Sequence, residues 1–416
     1  MQENPSKRFV LVDDDPDILA VLKMAIEIEG HEVTTFTSSV EALEVITQNP
    51  PDCVVLDIMM PEMDGVELCR RLRAQPDTAS LCIAVVSGKI YQPDRQRALD
   101  AGANGFIAKS RTDPYEMYRR LMALFNTSVS VCFWGTRGTI PVPGPDTLRY
   151  GGNTACVSLT FPDDHIFIFD AGTGIKPLGN SLVKAKKKTR GTIFISHPHW
   201  DHLNFLPFFA PLYIPGNHFT ITGPASGSVT LEQLVANQMD GLHFPITPRE
   251  FGARVDYQDI TEGQFKFGPA TVKTMLLCHP GTCLGYAVHY GGLKLCYVTD
   301  NELFPEDSDM YSANYEKLLA EFVAEADLLI TDVTYRDEEY PSRIGWGHSS
   351  VSAATSLAHQ AKVKELYLFH HDPDQDDEAI AEKLQQARQS LVALNSMTKV
   401  RVAAAEQVLE LTSDDQ

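Results

Sequence analysis

The six residues His197-Pro198-His199-Trp200-Asp201-His202 put three imidazoles and one carboxylate into a single short stretch. Imidazole and carboxylate suit Zn²⁺, Fe or Mn²⁺, and four such donors in six residues are too many for one closed structural site. Further candidates stand downstream: His279, Asp300, His348, and the neighbours His370 and His371. An isolated histidine at a strand end is more often structural. Several placed alike, together with an H-x-H-x-D-H loop, read instead as metal ligands and a proton donor. A second cluster lies nearer the start of the chain: Asp13-Asp14-Asp15, Asp57, Ser87 and Lys109. Clustered carboxylates bind a hard cation such as Mg²⁺. That cation lets an aspartate attack a phosphate dianion, and a hydroxyl and an ammonium then stabilise the product.

Alternating elements must position the second cluster. Apolar strands are expected at Phe9–Val12, Val33–Phe36, Cys53–Leu56, Ile83–Val86 and Gly105–Ala108. Helices are expected at Pro16–Glu29, Val40–Ile46, Gly65–Arg73, Gln92–Ala101 and Tyr115–Phe125. Five βα units with near-continuous apolar strands imply a five-stranded parallel, doubly wound α/β sheet, whose ligands sit at the carboxyl ends of the strands. Asp13, Asp57, Ser87 and Lys109 all fall there. After a short linker, Asn126-Thr127-Ser128, strands dominate: Val129–Trp134, Ala155–Phe161, Ile166–Phe169 and the run Thr192–Ser196 ahead of His197. His279, Asp300 and His370 likewise follow apolar runs, while His348 sits in the Gly-rich loop Gly345–Ser350. Two domains are expected, 1–126 and 127–416.

The first region resembles the receiver domain of two-component response regulators. The resemblance rests on Val12-Asp13-Asp14-Asp15-Pro16, on Leu56-Asp57 through Asp64-Gly65, on Val86-Ser87-Gly88-Lys89 and on Ala108-Lys109. It implies that Asp57 accepts a phosphoryl group from a cognate histidine kinase. Asp13 and Asp14, with the Met59 carbonyl, would hold Mg²⁺, while Ser87 and Lys109 would contact the phosphoryl oxygens. Ser110 stands where the family usually has a proline.

The second region resembles the metallo-β-lactamase fold, a four-layered αββα sandwich, in the phosphodiesterase branch related to tRNase Z and to cyclic phosphodiesterases. The residues that carry it are Phe133–Gly138, Asp170–Gly174, His197–His202, His279-Pro280-Gly281, Thr299-Asp300, His348-Ser349 and His370. The match implies that His197, His199 and His279 bind one divalent metal, and Asp201, His202 and His370 a second, with Asp300 bridging; zinc is the first expectation, manganese or iron the others. His371 is the neighbouring alternative to His370. Asp170 would orient a ligand imidazole. Oxygen-reducing di-iron members carry a carboxylate where His199 stands, and class B1 β-lactamases a cysteine where Asp300 stands. Glyoxalase II shares the seven ligands but is not expected to carry a loop like Trp346–Ser349. Two divalent ions acidify water and clamp the oxygens of an in-line displacement. His348 would then protonate the leaving oxygen or contact the phosphate, with Asp201 and Asp300 as the other catalytic candidates.

Composition narrows the partners. The 416-residue chain has a net charge of −20, and its only basic cluster, Lys184–Arg190, reads as a solvated turn. A grip on duplex DNA or long RNA usually needs a basic stripe, and no helix-turn-helix follows the receiver, so DNA is not an expected partner. No apolar run approaches the ~20 residues of a membrane span. The eight cysteines form no C-x-x-C pair and no secretory stretch opens the chain, so reduced thiols in the cytoplasm are expected. Leu206–Pro248 is rich in Phe, Pro and Tyr, and Met239–Pro245 within it either lines one wall of the cleft or packs against a second subunit of a homodimer. The expected function is a two-component response regulator whose output is a binuclear hydrolase of a small nucleotide or organic phosphodiester. The alternatives are a metal-site sensor or scaffold that binds a ligand or O₂, and a thioester or lactone hydrolase.

Overall fold

The structure, a computed structural model, describes residues 6–79, 81–88, 92–109, 113–125, 128–241 and 244–412. Lys89, Ser110, Leu242, His243 and the expected boundary at 126/127 lie outside them. The chain divides into two compact units, Met1–Asn126 and Thr127–Gln416.

In the first unit the strands β1 (Arg8–Val12), β2 (Glu32–Phe36), β3 (Cys53–Asp57), β4 (Cys82–Ser87) and β5 (Gly105–Ala108) form one sheet in the order β2-β1-β3-β4-β5. Every pairing is parallel. The helices are α1 (Pro16–Ile28), α2 (Ser39–Gln48), α3 (Gly65–Arg73), α4 (Gln92–Asp100) and α5 (Pro114–Ala123). They cover both faces: Val54 and Leu56 of β3 pack with α2 and α3, whereas Cys53 and Val55 pack with α1 and α5. That two-sided burial explains why β1, β3 and β4 read as near-continuous apolar runs, whereas the edge strand β2, Glu-Val-Thr-Thr-Phe, is half-exposed. Asp15 accepts the Asp17 N–H at 2.9 Å and caps α1, so the chain turns directly after Asp13 and Asp14.

The second unit holds two seven-stranded mixed sheets. The first comprises β6 (Val129–Gly135), β7 (Cys156–Thr160), β8 (His165–Phe169), β9 (Arg190–Phe194), β10 (His218–Gly223), β11 (Arg254–Asp259) and the last strand of the chain, β19 (Val408–Leu411). Its order is β11-β10-β9-β8-β7-β6-β19. The other comprises β12 (Gly263–Phe267), β13 (Ala270–Leu276), β14 (Leu284–Tyr290), β15 (Leu293–Val298), β16 (Leu328–Asp332), β17 (Glu365–Phe369) and β18 (Lys399–Val402), paired in chain order.

Alternation in single strands builds the layers. In β8, Phe167 and Phe169 enter a cluster with Phe194, Tyr286, Tyr297, Tyr367 and Phe369, which joins the two sheets face to face. Ile166 and Ile168 point the other way and pack with α6 (Ile175–Lys184) and α8 (Leu231–Gln238). On the far sheet, Leu366 and Leu368 of β17 meet α9 (Ala313–Val323), α10 (Val351–Gln360) and α11 (Asp377–Ala393). The result is an αββα sandwich in which each fully buried aromatic contributes about 1.5–3 kcal/mol. Lys184–Lys188 is exposed at the end of α6, as expected of a solvated turn. The aromatic segment 206–248 is in large part structural. It contains β10 and α8, and Phe209, Leu212, Phe219 and Met239 are buried in the core, so much of its apolar content serves packing. No helix among the described residues is long and apolar enough to cross a membrane.

Candidate active site and receiver cluster

Loops at the ends of β8, β9, β13, β15, β16 and β17 converge on one cluster. His197 follows β9, and its Nε2 lies 2.8 Å from His199 Nδ1. The four-residue helix α7 (Trp200–Leu203) carries Asp201 and His202. His279, after β13, places its Nε2 3.2 Å from His199 Nδ1. His370, after β17, places its Nε2 3.2 Å from His202 Nε2. Two imidazole nitrogens this close cannot both present lone pairs unless a proton or a cation stands between them.

Asp300, only 2% exposed at the end of β15, lies between these groups. Its Oδ1 is 3.8 Å from His197 Nε2 and 3.7 Å from His279 Nε2. Its Oδ2 is 3.1 Å from His202 Nε2 and 3.2 Å from His370 Nε2. The donor atoms of His197, His199 and His279 lie within 4.8 Å of one another, and so do those of Asp201, His202 and His370. This donor chemistry, rich in imidazole with two carboxylates, fits two divalent cations of the zinc type. His371 is fully buried, and neither of its ring nitrogens has a hydrogen-bond partner among the described residues.

A surrounding set of groups orients the imidazoles. Asp170, fully buried after β8, accepts the Ser196 N–H and hydroxyl at 2.7 and 2.9 Å, His202 Nδ1 at 2.7 Å and the Tyr297 hydroxyl at 2.7 Å. The Gly347 carbonyl can only accept, so at 3.0 Å it fixes the proton of His279 on Nδ1. Gly347 has φ +86°, and a Cβ there would lie 2.4 Å from His279 Nδ1. Gly138 likewise leaves room for the His370 ring, which a Cβ would approach to 2.3 Å. Asp170, Asp300 and His370 all adopt positive φ, at 61°, 49° and 57°. Each such residue costs of order 1–3 kcal/mol and persists only where neighbours hold it in place.

Charge follows the geometry. Burial drives the His197 imidazole well below its ordinary range, favouring the neutral form. Burial works the same way on His202, but Asp201, Asp300 and Asp170 outweigh it and hold that ring well above its usual value. Burial also opposes the charged form of His348, and the Asp332 carboxylate 2.7 Å from Nδ1 outweighs it, raising His348 to about 9. Asp332 was not singled out in the sequence, although it closes an apolar strand as Asp300 follows one.

Residues 9–121 match the family described as response regulator receiver domain, and residues 165–371 match the β-lactamase superfamily domain. The chain joins a response regulator receiver to a metallo-β-lactamase-fold domain. Response regulator MprA of Mycobacterium sp. (strain KMS) is 36% identical over 143 residues, 34% of this chain and 55% of that protein. Transcriptional regulatory protein PrrA of Mycobacterium tuberculosis is 41% identical over 104 residues, 25% of this chain and 44% of that protein. The chain thus spans about half the length of the curated relatives it matches. Among solved structures, the metallo-β-lactamase fold protein YhfI from Bacillus subtilis is 18% identical, with a TM-score of 0.48, and the match covers 68% of this chain and 100% of that one.

In the receiver, Asp13 and Asp57 are buried at the ends of β1 and β3, and Asp14 is exposed beside them. The Lys109 ammonium pairs with Asp13 and lies 2.5 Å from Asp57. Burial pulls Lys109 down, but the two carboxylates outweigh it and leave the ammonium more strongly protonated than usual. The Met59 N–H donates to Asp57 at 2.6 Å, and Ser87 is buried at the end of β4. Carboxylate oxygens are the donor type a hard cation such as Mg²⁺ takes.

The Asp170 contacts yield a prediction for the metallo-β-lactamase-fold domain. Asp170→Asn keeps the volume but loses the charge that orients His202. Metal affinity is expected to fall about 10–100-fold, measured by competition with a chromogenic chelator. Unchanged affinity would mean that Ser196 and Tyr297 suffice.

Proposed function

We propose that the chain is a response regulator whose output is a two-metal phosphodiesterase, controlled by phosphorylation of Asp57 by a histidine kinase. The observation that carries the reading is Asp300, which turns one oxygen toward His197 and His279 and the other toward His202 and His370. His197, His199 and His279 would hold one cation, Asp201, His202 and His370 the other, and Asp300 both. Bound divalent ions, zinc by preference, supply Lewis acidity toward phosphoryl oxygens and make water a stronger acid. Asp170 keeps the His202 proton on Nδ1, so Nε2 faces the cluster. The Gly347 carbonyl does the same for His279.

His348 supplies the proton. Its Nδ1 is bound to Asp332, which leaves Nε2 to deliver a proton to the leaving oxygen. The side chain is 13% exposed, within reach of a substrate. His348→Ala is expected to slow hydrolysis of alkyl esters about 10²–10⁴-fold, and to matter far less for p-nitrophenolate, which leaves without a proton. The group acts protonated, so the rate falls as pH rises through its value near 9. Asp332→Asn removes the charge that favours imidazolium and moves this limb to lower pH. A pH–rate profile on an alkyl ester reads both, and an unmoved limb assigns the proton elsewhere.

The deciding assay measures hydrolysis of bis(p-nitrophenyl) phosphate and cyclic nucleotides by full-length protein loaded with zinc, manganese or iron. Thioesters and lactones are run alongside. Absence of phosphodiester hydrolysis in every metal form would sink the proposal.

A further inference from the structure

Across the Tyr335 ring from His348 the chain holds a cation that no carboxylate pairs with among the described residues. The Arg343 guanidinium carbon lies 4.6 Å from the centre of the Trp346 ring and 5.8 Å from that of Tyr335. Among the described residues its side chain has no ion pair and no hydrogen bond. Arg336, seven positions earlier, shows the usual outcome: its donors reach Glu339 at 2.7 Å and Glu382 at 2.9 Å. The chain has 55 acidic residues, yet Arg343 is held by aromatic faces alone. Cation–π contact engages the charge and leaves the in-plane N–H fork unspent, and that fork matches the oxygens of a phosphate.

The loop that carries Arg343 is firmly held. The buried Glu302 carboxylate accepts the N–H groups of Gly345 and Gly347 at 2.7 and 2.6 Å and the Tyr340 hydroxyl at 2.8 Å. The Trp346 N–H closes a turn onto the Arg343 carbonyl at 3.1 Å. Tyr335 sits edge-on to His348 with ring centres 5.9 Å apart, and Trp346 is 55% exposed. A single ring therefore separates the guanidinium from the proposed proton donor. Glu302 contributes by fixing that spacing, since the same glycine segment meets His279 through the Gly347 carbonyl.

We propose that Arg343, set between Trp346 and Tyr335, is a recognition subsite for a second phosphate on the substrate, which places the substrate among nucleotide phosphodiesters that bear a further phosphate. This rests on the phosphodiesterase reading of the centre. The test compares two chromogenic esters, the p-nitrophenyl ester of thymidine 5′-phosphate and the same ester phosphorylated at the 3′ oxygen. With metal-loaded full-length protein, the 3′-phosphorylated ester is expected to show a KM lower by about 10-fold or more. Arg343→Ala should raise that KM about 10–100-fold, with a much smaller effect on the plain ester and on metal content. Arg343→Lys, which keeps the charge and loses the fork, should fall between. Equal losses on both esters, or no preference in the unmutated protein, overturn the subsite. If neither ester is cut, the phosphodiesterase reading is decided by bis(p-nitrophenyl) phosphate and the cyclic nucleotides, and the subsite is judged by calorimetry with adenosine 3′,5′-bisphosphate. Binding weakened by Arg343→Ala then supports it, and unchanged binding overturns it.

Discussion

Asp300→Asn is expected to remove phosphodiester hydrolysis by on the order of 10³-fold or more and to lower the metal content of the purified protein. The amide keeps the size and one oxygen but loses the charge and the second acceptor. No other described side chain faces both histidine groups with separate oxygens at 3.1–3.8 Å. Burial opposes ionisation of Asp300, yet His202, His370 and His197 outweigh it and hold the carboxyl well below the usual carboxylate range. A neutral replacement removes that charge from between the two histidine groups. Metal analysis with the bis(p-nitrophenyl) phosphate assay checks the prediction. Full metal content and full activity in Asp300→Asn would show that the two groups of donors act without a bridge.

Asp57→Asn is expected to abolish phosphoryl incorporation from a small phosphodonor and with it any response of the hydrolase to that donor. The chemistry is all-or-none, because an amide oxygen cannot form the acyl phosphate. Asp57 is the proposed acceptor: it is buried at the end of β3, shares the Lys109 ammonium, 2.5 Å away, with Asp13, and accepts the Met59 N–H at 2.6 Å. Asp14, exposed, lies beside it. Labelling is read by mass, and the response by the hydrolysis rate and the oligomeric state with and without donor. A rate that still changes with donor in Asp57→Asn would move control away from the receiver.

Much of this was legible in the residues because the chemistry is local. His197–His202 is contiguous, and His279, Asp300 and His370 each follow a short apolar run, which put them at strand ends; His348, in a Gly-rich loop, had no such run before it. The inner receiver strands β1, β3 and β4 were readable for the related reason that parallel strands buried on both faces leave few polar gaps. What was hidden depends on partners distant in sequence. Asp332 looked like an ordinary end of β16 until the fold set it against His348, and Glu302 gains meaning only through N–H groups more than forty residues away. The pairing of β19 with β6, which closes one sheet with the last strand of the chain, carries no local signal. The aromatic content of 206–248 has a use that composition does not show: Phe209 and Phe219 fill the core. An apolar ring is equally at home in a binding surface and in a protein interior, and only burial separates the two.

The residues around Asp300 come from both sheets: His197, His199, Asp201 and His202 follow β9, whereas His279, Asp300 and His370 follow strands of the opposite sheet. Cations held among them would rivet the two halves of the sandwich at one edge, much as a cross-link does, and would have to leave before the halves could part. Chelation should then shorten the lifetime of the folded hydrolase as well as silence it, so that resistance to protease becomes a gauge of metal supply. A cell short of the metal would lose the protein itself, and the signalling output would scale with abundance rather than with turnover alone.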